Sequence, residues 1–342
     1  MVDRRSCRRG TGTQHEGDGL NRLTSVDVCS GAGGLALGLE RAGFAPVLLL
    51  DSQKQACETL RHNRPSWNVL EMDLLDFDPL EHPVSYDVDL LSAGLPRVKS
   101  SATTKRVETG QELRLLKATI YLAHAVQPRA LLIENVPELV DGAAFEEVRA
   151  FIRGELLHLG YGFHWLIVNA ADFGVPQDRR HGVMVALKEP FADLFRAPET
   201  TVAERVTVGE TLRASMSERG WTGADDWARQ ANRVAPTLVG GSENRGGADL
   251  GPSGTKKAWA RMGVNAVSLS DEVPGPDGTQ ESDNSGSPLK KITVDQAALL
   301  QSFPKDWQIT GRKTSRYRQI GHASPPPVGE ALGRAIARAL RP

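Results

Sequence analysis

From Thr24 onward, apolar residues recur alternately at strand spacing and at helix spacing. Thr24-Ser-Val-Asp-Val28 is a short β-branched run that stops at the Gly-rich turn Ser30-Gly-Ala-Gly-Gly34. Leu35, Leu39 and Ala42 follow at helical spacing, and Gly43 ends that helix. Val47 to Leu50 is a second apolar run, closed by Asp51, and Leu70-Glu-Met-Asp73 ends another strand-like run. Val88 to Ala93 predicts the next strand. Leu113, Leu116, Ile120 and Ala123 then share one face of a helix over 112–126, and Ala130 to Ile133 reads as a buried strand. Phe145, Val148, Ile152, Leu156 and Leu159 predict a helix capped by Gly160, before a closing pair of strands over Phe163–Val168 and Val183–Leu187. Strands separated by helices of this length predict an α/β fold built on a doubly wound, mostly parallel sheet spanning 21–189.

Past residue 190 the periodicity fades. Residues 190–290 are rich in Gly, Ser, Asp and Arg, which suits a smaller irregular domain. Within it, 268–287 is acidic and Gly/Pro/Ser-rich, the composition of a mobile loop. Residues 291–342 end in an amphipathic helix, Val328 to Leu340, placed behind Pro325-Pro-Pro327 and expected to return to the first domain. Residues 1–20, polar with Arg4, Arg5, Arg8 and Arg9, read as a disordered tail without the apolar segment of a secretory signal.

Composition narrows the function classes. Of 342 residues, 40% are hydrophobic and 24% charged, as in ordinary globular proteins. The net charge of −1 supplies no global basic field, so any nucleic-acid contact must come from local patches. No apolar run approaches the roughly 20 residues of a membrane helix. Cys7, Cys29 and Cys57 make no metal-ligand spacing and fit a reducing cytoplasm, so neither a metal nor a membrane is expected.

The chemistry begins at the Gly-rich turn. Between a strand and a helix, Ser30, Gly31, Gly33 and Gly34 let backbone N–H groups approach a ligand closely. Asp51, closing the second run, can accept two ribose hydroxyls, and Asp73 can reach an adenine. NAD, flavin and S-adenosylmethionine all use such a turn, and the glycines alone do not choose among them.

Further motifs do choose. Asp27-Val-Cys-Ser-Gly-Ala-Gly-Gly34, Asp51, Asp73, Ile133-Glu-Asn-Val136, Val175-Pro-Gln-Asp-Arg-Arg-His181 and Gln319-Ile-Gly-His-Ala-Ser-Pro-Pro-Pro327 follow one another in an order that resembles the cytosine-5 DNA methyltransferase family, over about residues 24–342. The resemblance implies the S-adenosylmethionine-dependent methyltransferase fold, S-adenosylmethionine as cofactor, double-stranded DNA as partner, and a target-recognition domain in the region after 190. It implies cofactor contacts at Cys29, Ser30, Gly31, Gly33, Gly34, Asp51, Asp73, Gly94 and His322. It gives catalytic roles to Glu134, Asn135 and Arg179, with Arg179 helping to hold a flipped base. A nicotinamide-dependent oxidoreductase would share the turn but leaves Glu134-Asn135-Val136 and the Gly321 element unexplained.

The departures are as informative. Where the family carries Pro-Pro-Cys-Gln, this chain reads Leu95-Pro-Arg-Val98, so Arg97 falls on the catalytic cysteine. His181 and His322 replace an arginine and an asparagine, and Cys29 stands where an aromatic residue is frequent. In the family a thiolate adds to cytosine carbon 6 and makes carbon 5 nucleophilic, while a carboxyl, here Glu134, assists at ring nitrogen 3. A guanidinium has only donors and no lone pair to offer. Cys29, Cys57, Lys99, Ser100 and Ser101 are poor substitutes, the first two lying in the cofactor turn and the next helix.

Arg97, Lys99, Lys105 and Arg106 make a basic stretch suited to phosphate or base edges, or a merely solvated loop. Pro236-Thr-Leu-Val-Gly-Gly241, followed by Asn244, Arg245, Lys256, Lys257 and Arg261, mixes glycine with cations in the manner of a DNA-binding surface. Trp221, Trp227 and Trp259 read as a small core. Two readings stay open: a methyltransferase acting by an altered route, and a non-catalytic DNA-binding partner of an active methyltransferase or restriction enzyme.

Overall fold

The computed structural model describes residues 22–98, 110–240, 248–280 and 288–341. The tail over 1–20 and the basic residues Lys99, Lys105, Arg106 and Arg245 lie outside the described residues, as do Ser100 and Ser101.

The strands are β1 (Leu23–Val28), β2 (Phe44–Asp51), β3 (Val69–Glu71), β4 (Leu90–Gly94), β5 (Ala130–Asn135), β6 (Tyr161–Asn169), β7 (Gln177–Asp178), β8 (Arg180–Lys188) and β9 (Ala235–Pro236). Seven of them form one sheet in the order β3-β2-β1-β4-β5-β8-β6, and β7 pairs with β9 apart from it. β1 to β5 are parallel, and β8 runs antiparallel to both β5 and β6. Chain order reverses between β1 and β4, so the crevice past their carboxyl ends is where such a sheet binds ligands.

Alternation along the central strands fills both faces. Leu131 and Ile133 face one core with Leu116, Ile120 and Ile152 of the helices Gln111–Val126 and Glu146–Leu156. Ala130 and Leu132 face the other, with Leu35, Leu39, Leu332 and Ile336. There the helix Pro326–Leu340 lies on the helix Gly34–Arg41, and a Cβ on Gly38 would come 2.3 Å from the Pro326 carbonyl oxygen.

The strand expected from Val88 starts instead at Leu90. Asp87 has a positive φ of 55°, and Asp89 is spent on Arg129 (2.6 Å) and the Thr24 N–H (2.8 Å). Residues 190–290 contain the helices Val208–Met216, Ala224–Gln230 and Ser253–Arg261, each shorter than three turns, which accounts for their weak periodicity. Trp227 and Trp259 are buried in a cluster that includes Ala32, Leu37 and Leu60 of the sheet domain together with Leu300, Phe303 and Trp307. The core is shared. Of the stretch read as a mobile loop, 281–287 is outside the described residues, while Gln280 is tied by its amide to the Glu272 and Lys291 carbonyls.

Candidate active site

The turn after β1 is shaped by positive φ at Cys29 (54°), Gly31 (53°) and Gly33 (82°). Its backbone is fastened by the Ser30 N–H to the Leu50 carbonyl (3.1 Å) and by the Ser30 hydroxyl to the Asp27 carbonyl (2.9 Å). A Cβ at Gly31 would meet nothing within 4 Å, so that glycine faces open space in a conformation that side chains avoid. At Gly34 a Cβ would lie 2.0 Å from the Ser324 carbonyl oxygen, so the final motif presses directly on the turn. Trp307 closes it from below, donating from its indole N–H to the Ala32 carbonyl (3.1 Å).

Asp51 accepts from the Gly31 N–H (2.8 Å) through one carboxylate oxygen and from the Gln53 N–H (2.7 Å) through the other. Each oxygen retains a lone pair for a hydroxyl. Burial raises its pKa against those two backbone donors. Asp73 caps the turn beginning at Leu74 by accepting the Leu75 N–H (3.0 Å). Gly94 ends β4 beside the Cys29 carbonyl. The Ser324 hydroxyl is buried without a hydrogen-bond partner among the described residues. An open glycine turn, a ribose-ready carboxylate and an orphaned hydroxyl fit S-adenosylmethionine. His322 is exposed at the end of the helix Lys313–His322, beside Gly240, while Ser324 is the residue pressed against the turn.

The two described cysteines are not primed as nucleophiles. Burial, then the charges of Asp51 and Asp27, push the Cys29 thiol far up. Burial likewise raises Cys57 to about 11, and its Sγ–H points at the Asp51 carbonyl (3.3 Å).

Beyond β4 and β5 a second group converges. Glu134, near the end of β5, receives His181 Nδ1 of β8 at 2.5 Å. Burial would raise the Glu134 pKa, but His181, Arg179 and Arg97 outweigh it and hold the carboxyl below its ordinary range. Burial pushes the His181 imidazole down against the pull of Glu134. A neutral imidazole donating from Nδ1 to a carboxylate satisfies both, and its Nε2 is buried without a partner among the described residues.

Asn135 fastens the next loop at two points. Its Oδ1 accepts the Val98 N–H (3.0 Å) and its Nδ2 donates to the Pro96 carbonyl (3.2 Å). Arg97, between those two anchors, is exposed, and Val98 is buried. Arg179, expected to help hold a flipped base, donates from Nη1 to the carbonyls of Leu238 and Gly321, both at 2.9 Å, and its guanidinium is almost fully buried. Lys256 is likewise partly spent, on Asp249 at 2.8 Å, whereas Lys257 and Arg261 are exposed.

The motif order does not single out the His181–Glu134 pair or Gln177, whose side-chain oxygen accepts the Leu238 N–H (2.8 Å). A signal existed: Gln177, Arg179 and His181 alternate, so an extended chain presents them on one face.

A mostly parallel sheet reversing at β1/β4, with this turn and carboxylate at the switch point, has the architecture of the S-adenosylmethionine-dependent methyltransferases. Residues 23–338 match the family described as C-5 cytosine-specific DNA methylase, and the chain belongs to that family, whose methyl donor is S-adenosylmethionine. It is 42% identical over 328 residues to the Type II methyltransferase M.NaeI of Lentzea aerocolonigenes, covering 94% of this chain and 76% of that one. It is 40% identical to M.NgoMIV of Neisseria gonorrhoeae, covering 94% and 99%. The solved Dnmt2 methyltransferase of S. pombe shares the fold with a TM-score of 0.62 at 17% identity, over 94% of this chain and 99% of that one. Among the described residues no helix is long and apolar enough to cross a membrane.

Proposed function

We propose that the chain binds S-adenosylmethionine and double-stranded DNA but does not perform thiolate-driven methylation of cytosine carbon 5. The observation that carries this is Arg97 on the loop clamped by Asn135: in family order this is the nucleophile's position, and its backbone is fixed by the Pro96 and Val98 hydrogen bonds. S-adenosylmethionine, when bound, supplies an electrophilic methyl group. The Gly31 turn and Asp51 would hold it. Glu134, kept ionised beside His181, suits accepting a hydrogen bond from an exocyclic amino group and is a poor donor to a ring nitrogen. Neither Cys29 nor Cys57 offers a thiolate in Arg97's stead. On this reading the protein serves in the cytoplasm as an accessory or regulatory partner of an active Type II methyltransferase or restriction enzyme.

The second reading, methyl transfer by another route, draws on the retained Glu134 and Asn135. Incubating the protein with methyl-labelled S-adenosylmethionine and mixed duplex DNA, beside an Arg97→Cys variant, separates the two. Cofactor binding by both proteins, with no label in DNA from the wild type, is the expected result. Labelled 5-methylcytosine from the wild type would overturn the silent reading.

A further inference from the structure

The segment Ala235–Gly240 leads directly into the Gly- and Arg-containing stretch around Arg245, and its anchors converge from two separate parts of the chain. β9 lies parallel to β7, with Gln177 opposite Ala235 and Asp178 opposite Pro236. The Gln177 side-chain oxygen accepts the Leu238 N–H (2.8 Å), while its amide nitrogen donates to the Gln301 side chain (2.6 Å). Gln301 in turn donates to the Ala323 carbonyl. Two residues on, Arg179 Nη1 joins the Leu238 and Gly321 carbonyls, and the Thr237 hydroxyl donates to the Asp178 carbonyl (2.7 Å). Gly240, at a φ of +70°, lies so close to Gly321 that a Cβ there would stand 2.2 Å from the Gly240 nitrogen.

This is an expensive way to close a core. The Arg179 Nε is buried without a partner among the described residues, and Nη1 meets neutral carbonyls. Burial, then the nearby charge of Arg97, draws the guanidinium pKa down to about 10. An apolar side chain of the same volume would pack here at no electrostatic cost. What the arginine adds is geometry: one planar group fixes Leu238 relative to Gly321, and Gln177 repeats the connection through Gln301.

We infer that Gln177 and Arg179 form a buried latch that positions the Ala235–Gly240 segment for DNA recognition. They are positioning residues, with no contact to the base; the consequence for DNA rests on the binding reading above. The test uses the full chain and the variants Arg179→Lys, which keeps the charge but replaces the planar guanidinium with a shorter ammonium, and Thr237→Val, which removes a milder anchor. Amide hydrogen exchange is followed at Leu238, beside binding of S-adenosylmethionine and of a mixed-sequence duplex. Arg179→Lys is expected to speed exchange at Leu238 at least about tenfold and to weaken duplex binding about tenfold, with cofactor binding changed by less than about threefold. Thr237→Val is expected to move the first two in the same direction by less, so a poorly folding Arg179→Lys still leaves the latch testable. Unchanged exchange with weakened duplex binding would overturn the latch in favour of a direct base contact. Faster exchange with unchanged duplex binding would overturn its link to recognition. If the wild type binds no duplex, the proposed function fails, while exchange at Leu238 still decides whether the latch exists.

Discussion

Asp27 sits beneath the Gly-rich turn with one carboxylate oxygen on the Ser92 hydroxyl (2.5 Å) and the other without a partner among the described residues. Burial raises its pKa from 3.8 to about 6, with the hydrogen bonds of Ser92 and Ser30 opposing. The folded state therefore holds this proton more tightly than the unfolded chain does. Its contribution to stability is greatest below the unfolded pKa and falls as pH rises toward the folded one. Asp27→Asn should remove that dependence: in urea unfolding, the variant's stability relative to wild type should rise by about 2 kcal/mol between pH 4 and pH 7. A difference that stays flat across this range would show that Asp27 titrates normally. At this scale the placement of Gly31 against Asp51, and of Glu134 and Asn135 at the end of β5, was legible from motif order, because backbone conformation and charge type restrict which residues fit there. The direction of the Arg179 guanidinium was not, since its two carbonyl acceptors belong to segments that only the tertiary fold brings together.

Elements were read well where a long stretch kept one period, as in Gln111–Val126 and Ala130–Asn135. They were read poorly where they are short or where polar contacts move a boundary, as Asp89 does at the start of β4. The contact between the helices Gly34–Arg41 and Pro326–Leu340 depends on glycine for close approach. A Cβ on Gly38 would also come 2.6 Å from the Glu330 nitrogen, and rigid backbone on the facing helix leaves it nowhere to go. Gly38→Ala should therefore destabilise the protein by about 2 kcal/mol despite alanine's better helix propensity, measured by urea denaturation. A neutral or stabilising result would mean that the two helices separate easily.

At the level of the whole molecule, a net charge of −1 constrains how DNA is held. Arg205, Arg213, Arg219, Arg229 and Lys256 are each paired with a carboxylate and Arg179 is buried, so much of the described positive charge in the recognition region is already balanced. Duplex affinity should accordingly depend only moderately on salt, with a slope of log K against log salt shallower than about −5. A slope near −10 would require a phosphate-binding surface broader than the unbalanced cations among the described residues make. The shared core around Trp227, Trp259 and Trp307 belongs to this scale as well. Composition alone divided the chain at residue 190, because a buried tryptophan carries no mark of which neighbour it will meet.

Asn135 grips a carbonyl and an N–H on either side of position 97 and asks nothing of the side chain between them. Chemistry at that position is thereby uncoupled from folding. If position 97 is the nucleophile's place, as proposed above, the residue there can be exchanged without surrendering the architecture, and the same indifference leaves the way back open.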